Sequence, residues 1–313
     1  MADADLAVAT HNLSKRFGAL TAVDRLDLAI PPGQIFGLVG PDGAGKTTTL
    51  RLLVGALAAS DGDVFVLGLD LAHHLPAIRP RIGYLAQQFS LYRDLTVTEN
   101  LAFFAEVYGV PRAVAADRER ELLAFARLAE HRHRLVGQLS GGMRQKLALA
   151  CALIHAPEVL FLDEPTTGVD PISRREFWAM LANLLGRGTT IVITTPYMDE
   201  AERCGAVALL YGGRLVACAP PVALRELFRG ELVELSGPEA SGRALQSLVR
   251  GWPEVGETTV LGNALHVQVD VAADAMPRFH ERLAAAGRAD VRLRLVAPSL
   301  EDVLVSVIRS QQP

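Results

Sequence analysis

Apolar residues fall in three recognisable patterns along the chain. Short unbroken runs stand at Gln34–Val39, Val159-Leu160-Phe161-Leu162 and Thr190–Thr194. Each has the length of a strand and carries β-branched or aromatic residues, so each predicts a strand covered on both faces. Residues 6–30 hold two strand candidates. The second, Val23–Ile30, alternates at Leu26, Leu28 and Ile30, as a strand with one buried face does. Val64–Leu67 and Ile82–Leu85 are further short strands, and Ala206–Leu210 with Leu215–Cys218 reads as a hairpin turning at Gly212-Gly213. Helical spacing appears in Thr48, Leu50, Leu52, Leu53 and Leu57. It recurs at Leu101, Phe104 and Val107 behind the capping box Thr96-Val97-Thr98-Glu99, over Ala113–Ala129, and at Leu147, Leu149, Ala150 and Leu153 behind Ser140. Pro171 opens one more helix, and Gly186-Arg187-Gly188 closes it.

Pro220-Pro221 marks a boundary. Beyond it the pattern reads strand (Leu232–Leu235), helix (240–249), strand (Thr258–Leu261), strand (Leu265–Val269), helix (Met276–Ala286), strand (Val291–Val296) and a last helix, Leu300–Ile308. That β-α-β-β-α-β order predicts a small ferredoxin-like α+β domain. The chain thus divides into 1–220, with a helical subdomain at about 96–155, and 221–313.

Composition narrows the classes. Half of the 313 residues are apolar, ample for two cores. The net charge of −4 argues against a nucleic-acid partner. Cys151, Cys204 and Cys218 lack metal-ligand spacing and read as buried thiols of a reducing compartment. The acidic N-terminus has no signal-peptide shape, and no apolar run approaches bilayer-spanning length. Action on a membrane would need a partner that supplies the membrane part. His73-His74 and His131-x-His133 stand without Cys or acid at ligand spacing and read as surface residues. His155, just before Pro157, reads as a helix C-terminal residue, and the charge run Asp117–Glu121 as a solvated helix face.

The chemistry concentrates in Gly40-Pro41-Asp42-Gly43-Ala44-Gly45-Lys46-Thr47-Thr48. The string fits G-x-x-x-x-G-K-[ST] between a buried strand and a helix, which is the setting of a phosphate-binding loop. Loop and helix N–H groups converge on one anion, Lys46 adds a point charge, and Thr47 offers a hydroxyl to Mg²⁺. Asp163-Glu164 ends the buried strand Val159–Leu162. Such an aspartate can hold Mg²⁺, and an adjacent glutamate can polarise water. Leu139-Ser140-Gly141-Gly142-Met143-Arg144-Gln145 opens a helix with Ser and two glycines, a second anion-seeking helix start. Gln87 follows Ile82–Leu85.

With these strings together, residues 6–220 resemble the ATP-binding-cassette (ABC) ATPases. The resemblance implies an α/β fold, a mixed sheet core plus an α-helical subdomain, and ATP with Mg²⁺ as ligands. Gly40–Thr47 matches Walker A, Gln87 the glutamine loop, Leu139–Met143 the signature, Leu160–Asp163 Walker B, and Thr166-Thr167-Gly168-Val169-Asp170 the D-loop. Met143 stands where the signature usually ends in Gln. Phe17 matches the aromatic that stacks on adenine, or else is a plain core residue. By the same resemblance Glu164 positions the attacking water, Thr47, Gln87 and Asp163 arrange Mg²⁺ and report the γ-phosphate, and Lys46 is the catalytic charge on the β- and γ-phosphates. Ser140, Gly141 and Gly142 serve the ATP of a second cassette, identical or not, in a head-to-tail dimer.

Phe89-Ser90-Leu91-Tyr92 and following residues, Thr166–Pro171, and Pro298-Ser299-Leu300-Glu301-Asp302-Val303 look like the ATP-binding subunits of ABC-2-type exporters. These are cytoplasmic subunits, peripheral on the cytoplasmic face of the inner or plasma membrane, which work a separate membrane permease, in some systems with a periplasmic adaptor. Phe89, Leu91 and Tyr92 then suit a socket for the permease, or pack within the cassette. The tail domain is implied in dimer contact or regulation. Two departures stand out. Pro196 occupies the position of the switch histidine in Thr194-Thr195-Pro196-Tyr197-Met198-Asp199-Glu200-Ala201, and Asp42 stands where Asn is commoner. Proline has no side-chain donor. Two readings follow: a slow site that works beside a fuller cassette or only regulates a complex, or adequate hydrolysis carried by Glu164. A non-transport cassette is the other alternative. Such proteins carry two fused cassettes or a long coiled-coil insertion, which this chain lacks.

Overall fold

The computed structural model describes residues 3–88, 91–237 and 241–310. The chain forms two compact units, divided after Cys218.

The first unit begins with β1 (Val8–Phe17) and β2 (Leu20–Ile30), then β3 (Ile35–Val39), α1 (Lys46–Leu53), β4 (Asp61–Val66), β5 (Leu69–Asp70), α2 (Leu71–Ile78) and β6 (Ile82–Leu85). α3 (Val97–Val107), α4 (Arg112–Phe125) and α5 (Gly141–Leu153) form the helical part. β7 (Val159–Asp163), α6 (Pro171–Gly186), β8 (Thr190–Thr195), α7 (Met198–Ala201), β9 (Ala206–Tyr211) and β10 (Arg214–Ala219) complete it. Two sheets result. The antiparallel one has the order β2-β1-β4-β5, and the other runs β10-β9-β3-β8-β7-β6. In the latter, β3 pairs in parallel with both β8 and β9, and β7 with both β8 and β6. β3, β7 and β8 are buried at every residue, which is why their sequences run apolar without alternation. Leu13, Leu26, Phe36, Leu38 and Leu50 join one core that reaches from β1 through β3 to α1. Each such side chain contributes about 1.5–3 kcal/mol when fully buried.

The helix starts follow their caps. Thr96 accepts a hydrogen bond from the Glu99 N–H, and the Glu99 carboxylate accepts one from the Thr96 N–H, so the capping box forms. Asp170 caps α6 ahead of Pro171. The second helix of this region ends at Phe125 rather than Ala129, because Arg127 turns left-handed at φ 54. α2 has no counterpart in the periodicity. Asp70 caps it, yet it carries Pro76 and kinks at His74. Cys151 and Cys204 are buried, whereas Cys218 is exposed on the edge strand β10, correcting the expectation of three buried thiols. His155 follows α5, stacks on Tyr108 at 3.8 Å between ring centroids and is held below its usual pKa by burial.

The second unit contains α8 (Pro221–Arg225), β11 (Glu231–Ser236), α9 (Gly242–Val249), β12 (Thr258–Leu261), β13 (Ala264–Val269), α10 (Ala272–Ala285), β14 (Arg292–Val296) and α11 (Leu300–Ser310). Its sheet, β12-β13-β11-β14, is antiparallel throughout, the ferredoxin-like order. α10 starts four residues before the periodicity suggests, with Pro277 inside it. Val233, Leu235, Leu265, Val267, Leu245 and Phe279 pack one face of this sheet against α9 and α10. Across the whole protein, no helix among the described residues is long and apolar enough to cross a membrane.

A polar pair fixes α11 to the sheet of the second unit. His266 Nδ1 on β13 lies 3.1 Å from Asp302 Oδ2, and its Nε2 lies 3.6 Å from Glu234. Arg294 reaches the same Glu234. The Asp302 carboxylate also accepts hydrogen bonds from Ser299 N and Oγ. The hydrogen bond to Asp302 raises the His266 pKa, and burial opposes it. Burial alone would push Asp302 up, but the hydrogen bonds from His266 and Ser299 outweigh it and hold the carboxyl low. The imidazolium contribution is therefore complete below the ordinary histidine value of 6.5 and is lost as pH rises through the raised one. Asp302 sets the opposite edge, losing its contribution as pH falls below 3.8 through its lowered value. His266→Ala should cost about 1–3 kcal/mol at about pH 5.5 and less at about pH 8.5, read as amide-exchange protection of α11.

Candidate functional site

The phosphate-type loop lies between β3 and α1, and two of its glycines, Gly40 and Gly45, have no room for a side chain. Gly45 has φ 97, and a Cβ there would stand 2.4 Å from Ala22 O on β2. A Cβ on Gly40 would stand 2.2 Å from Leu210 O. Gly213, in the β9–β10 turn, donates its N–H to Ala44 O at 3.3 Å and accepts from Asp24 N at 2.8 Å. Gly212 and Gly213 both have positive φ, as a two-residue hairpin turn needs.

Lys46 is buried, and its Nζ donates to Gly40 O at 2.9 Å and Pro41 O at 3.0 Å. It also lies 3.2 Å from Glu164 Oε1. Gln87 Nε2 donates to the other Glu164 oxygen at 3.0 Å. Asp163 Oδ1 accepts from the Thr47 hydroxyl and from the Thr194 hydroxyl, each at 2.9 Å. Lys46, Thr47, Gln87, Asp163 and Glu164 thus form one connected network built from the loop, β6, β7 and β8. Asp163 Oδ2 is buried without a hydrogen-bond partner. An orphaned carboxylate oxygen beside a hydroxyl suits a hard divalent cation. Asp42 points its carboxylate to solvent at 96% exposure and lies 4.0 Å from Lys46, so its charge is well screened. Pro41 and Gly43 are exposed, Ala44 is buried, and Thr48 lies in the first turn of α1.

Glu164 sits at φ 44, in the left-handed region. Its N–H is held by Thr194 Oγ1 at 2.8 Å and by Thr194 O at 3.2 Å. Phe17 is 49% exposed at the end of β1, with Lys15 Nζ 5.2 Å from its ring centroid; the core alternative for this side chain fails. Ser140, Gly141 and Gly142 form a separate group at the start of α5. Ser140 Oγ accepts from Met143 N, open space surrounds Gly141, and a Cβ on Gly142 would meet Ser173 Oγ at 2.2 Å. Among the described residues no hydrogen bond joins them to the 40–48 loop. Pro196 follows β8 with no side-chain donor to offer, and Arg174 stacks on the next residue, Tyr197, at 4.3 Å. Phe89 and Ser90 lie outside the described residues; Tyr92 is half-exposed against Phe103.

Sequence reasoning missed Thr194, Thr195 and Glu200, all of them buried. One signal was available. Hydroxyls that follow the apolar run Ile191–Ile193 lie at the carboxyl end of a buried parallel strand, where such sheets bind ligands. Thr195 Oγ1 donates to Glu200 Oε2 at 2.7 Å, and Thr166 Oγ1 donates to Glu200 Oε1 at 2.5 Å.

Residues 23–167 match the family model described as ABC transporter. The chain is 38% identical over 97% of its length to the Escherichia coli protein named probable multidrug ABC transporter ATP-binding protein YbhF, and it spans 52% of that protein. It is also 38% identical to the Nod factor export ATP-binding protein I of Cupriavidus metallidurans, covering 95% of each chain. Among solved structures, a dimeric ATP-binding cassette in a post-hydrolysis state with ADP and Pi is 26% identical. It matches with TM-score 0.63 over 68% of this chain and 98% of its own.

The steric fit at Gly45 gives a stability test. Gly45→Ala should lower unfolding free energy by about 1–3 kcal/mol, measured by urea denaturation, since both φ and the Ala22 carbonyl oppose a Cβ.

Proposed function

The chain belongs to the ABC transporter family of ATP-binding proteins, and from that premise we propose that it is the ATP-hydrolysing subunit of an ABC-2-type exporter. It would couple cassette dimerisation to efflux through a separate membrane permease, from a cytoplasmic position against the membrane. The names of the two relatives support the export reading. The observation that carries the hydrolytic reading is the Lys46–Glu164–Gln87 cluster beside the Asp163–Thr47 pair.

In this reading the 40–48 loop receives the triphosphate on its N–H groups and Lys46, and Phe17 stacks on the base. Thr47, Asp163 and Gln87 would hold Mg²⁺, which supplies charge neutralisation at the phosphates. Glu164 accepts a proton from the attacking water, and Gln87, hydrogen-bonded to it, senses occupancy. Ser140, Gly141 and Gly142 complete the site of a second cassette, and the tail unit serves dimer contact.

The Lys46–Glu164 pair implies competition, since the phosphates must draw Lys46 from its carboxylate. Glu164→Gln should therefore lower turnover by about 10²–10⁴ and tighten ATP binding several-fold, read by steady-state hydrolysis and titration with labelled ATP. Loss of binding along with turnover would count against the assignment. Pro196 supports a second reading, a slow cassette that regulates a complex. Single-turnover comparison with Pro196→His separates the two. A rise of about 10²–10³ assigns the slow site, and an unchanged rate leaves hydrolysis to Glu164.

A further inference from the structure

Glu200 is a fully buried carboxylate that none of the roles above uses. Its two oxygens go to two different segments. Oε1 accepts from Thr166, two residues past Glu164, and Oε2 accepts from Thr195, at the end of β8. Arg174 Nε on α6 lies 3.6 Å from Oε1, a longer ion-pair distance that supplies charge without a hydrogen bond. A carboxylate buried this completely is tolerated only where hydrogen bonds and a countercharge replace water.

What it ties is the backbone around the water-activating candidate. Glu164 is held at φ 44, a conformation that a non-glycine residue keeps only when its surroundings impose it. β8 imposes it from one side, through Thr194 O and Oγ1. On the other side the chain returns through Thr166 and Thr167, with Thr167 N donating to Glu164 O at 3.2 Å and Thr167 Oγ1 lying 3.5 Å from Glu164 Oε2. Thr166 is anchored by Glu200. The Thr195 hydroxyl that donates to Glu200 also accepts from Tyr197 N at 3.0 Å, so the same carboxylate orders the backbone around Pro196. Proline at 196 brings neither a side-chain donor nor a backbone N–H to that loop, so its order rests on the Thr195 hydroxyl.

We propose that Glu200 is a positioning residue for hydrolysis, a buried strut that sets the Glu164 carboxylate by clamping Thr166 and Thr195. It touches no reacting atom and acts through Thr166. The proposal rests on the hydrolytic reading above and adds to it a residue that the resemblance gave no role.

Three variants test it in the full chain. Thr166→Val removes one hydroxyl and keeps the volume, and Thr166→Ser restores the donor. Thr166→Val should lower kcat for ATP about tenfold with KM for ATP within twofold; Thr166→Ser should recover most of kcat. Glu200→Gln should fall at least as far, because one of its two hydroxyl donors then faces an amide donor. Amide exchange over residues 163–169 reads the same strut without turnover. It should rise about tenfold in Thr166→Val and return to the parental rate in Thr166→Ser. Exchange that does not change in Thr166→Val overturns the proposal, whatever the turnover. So does a kcat within twofold of the parent in folded Thr166→Val. If the parent itself does not hydrolyse Mg-ATP, the hydrolytic reading fails on its own, and the exchange result still decides whether Glu200 sets this segment.

Discussion

One carboxylate oxygen joins three elements of the first unit. Asp163 Oδ1, at the end of β7, accepts hydroxyl hydrogens from Thr47 at the start of α1 and from Thr194 at the end of β8. The bond from Thr194 is fully buried and the one from Thr47 partly so, and such contacts are strongest where water is excluded. They bring together the carboxyl ends of adjacent parallel strands and the helix that leaves the loop. The other Asp163 oxygen remains buried and unpartnered, which a folded chain keeps only for a purpose such as receiving a ligand. Support for the fold and provision for chemistry thus meet in a single side chain.

The network extends outward by further polar links. Thr194 holds the Glu164 N–H, Gln87 and Lys46 share its carboxylate, and Glu200 braces the segment beyond it. Thr194, Glu164, Lys46 and Glu200 are each bound on at least two sides. A site so connected changes geometry in discrete steps, since moving one member breaks the bonds of its neighbours. The second unit shows the same economy at smaller scale. His266 and Asp302 form a polar link between the ferredoxin-like sheet and a helix whose Leu300, Val303 and Leu304 are otherwise packed by apolar contact.

Much of this was legible in the chain. Buried strands announced themselves as unbroken apolar runs, and the two strings singled out for chemistry, Gly40–Thr48 and Asp163-Glu164, are brought together through Thr47 and Lys46. What escaped had physical reasons. α2 depends on an aspartate cap and on tertiary packing, and Pro76 hides its periodicity. Pro277 similarly masked the start of α10. Thr194, Thr195 and Glu200 matter because β8 lies next to β7 in the sheet, although 31 residues separate Asp163 from Thr194. No local pattern states that adjacency. Cys218 was misjudged because burial of a thiol on an edge strand depends on which neighbour covers it.

The turn at Gly212-Gly213 bonds to Ala44 in the loop and to Asp24 on β2, and β2 pairs with the strand that ends in Phe17. Loop and Phe17 therefore belong to one frame, knitted by these backbone bonds and by the Arg214–Asp24 ion pair. In the proposed reading, with the base on Phe17 and the phosphates on the loop, their spacing would be set by this frame. The nucleotide would then be measured by a ruler built into the sheets.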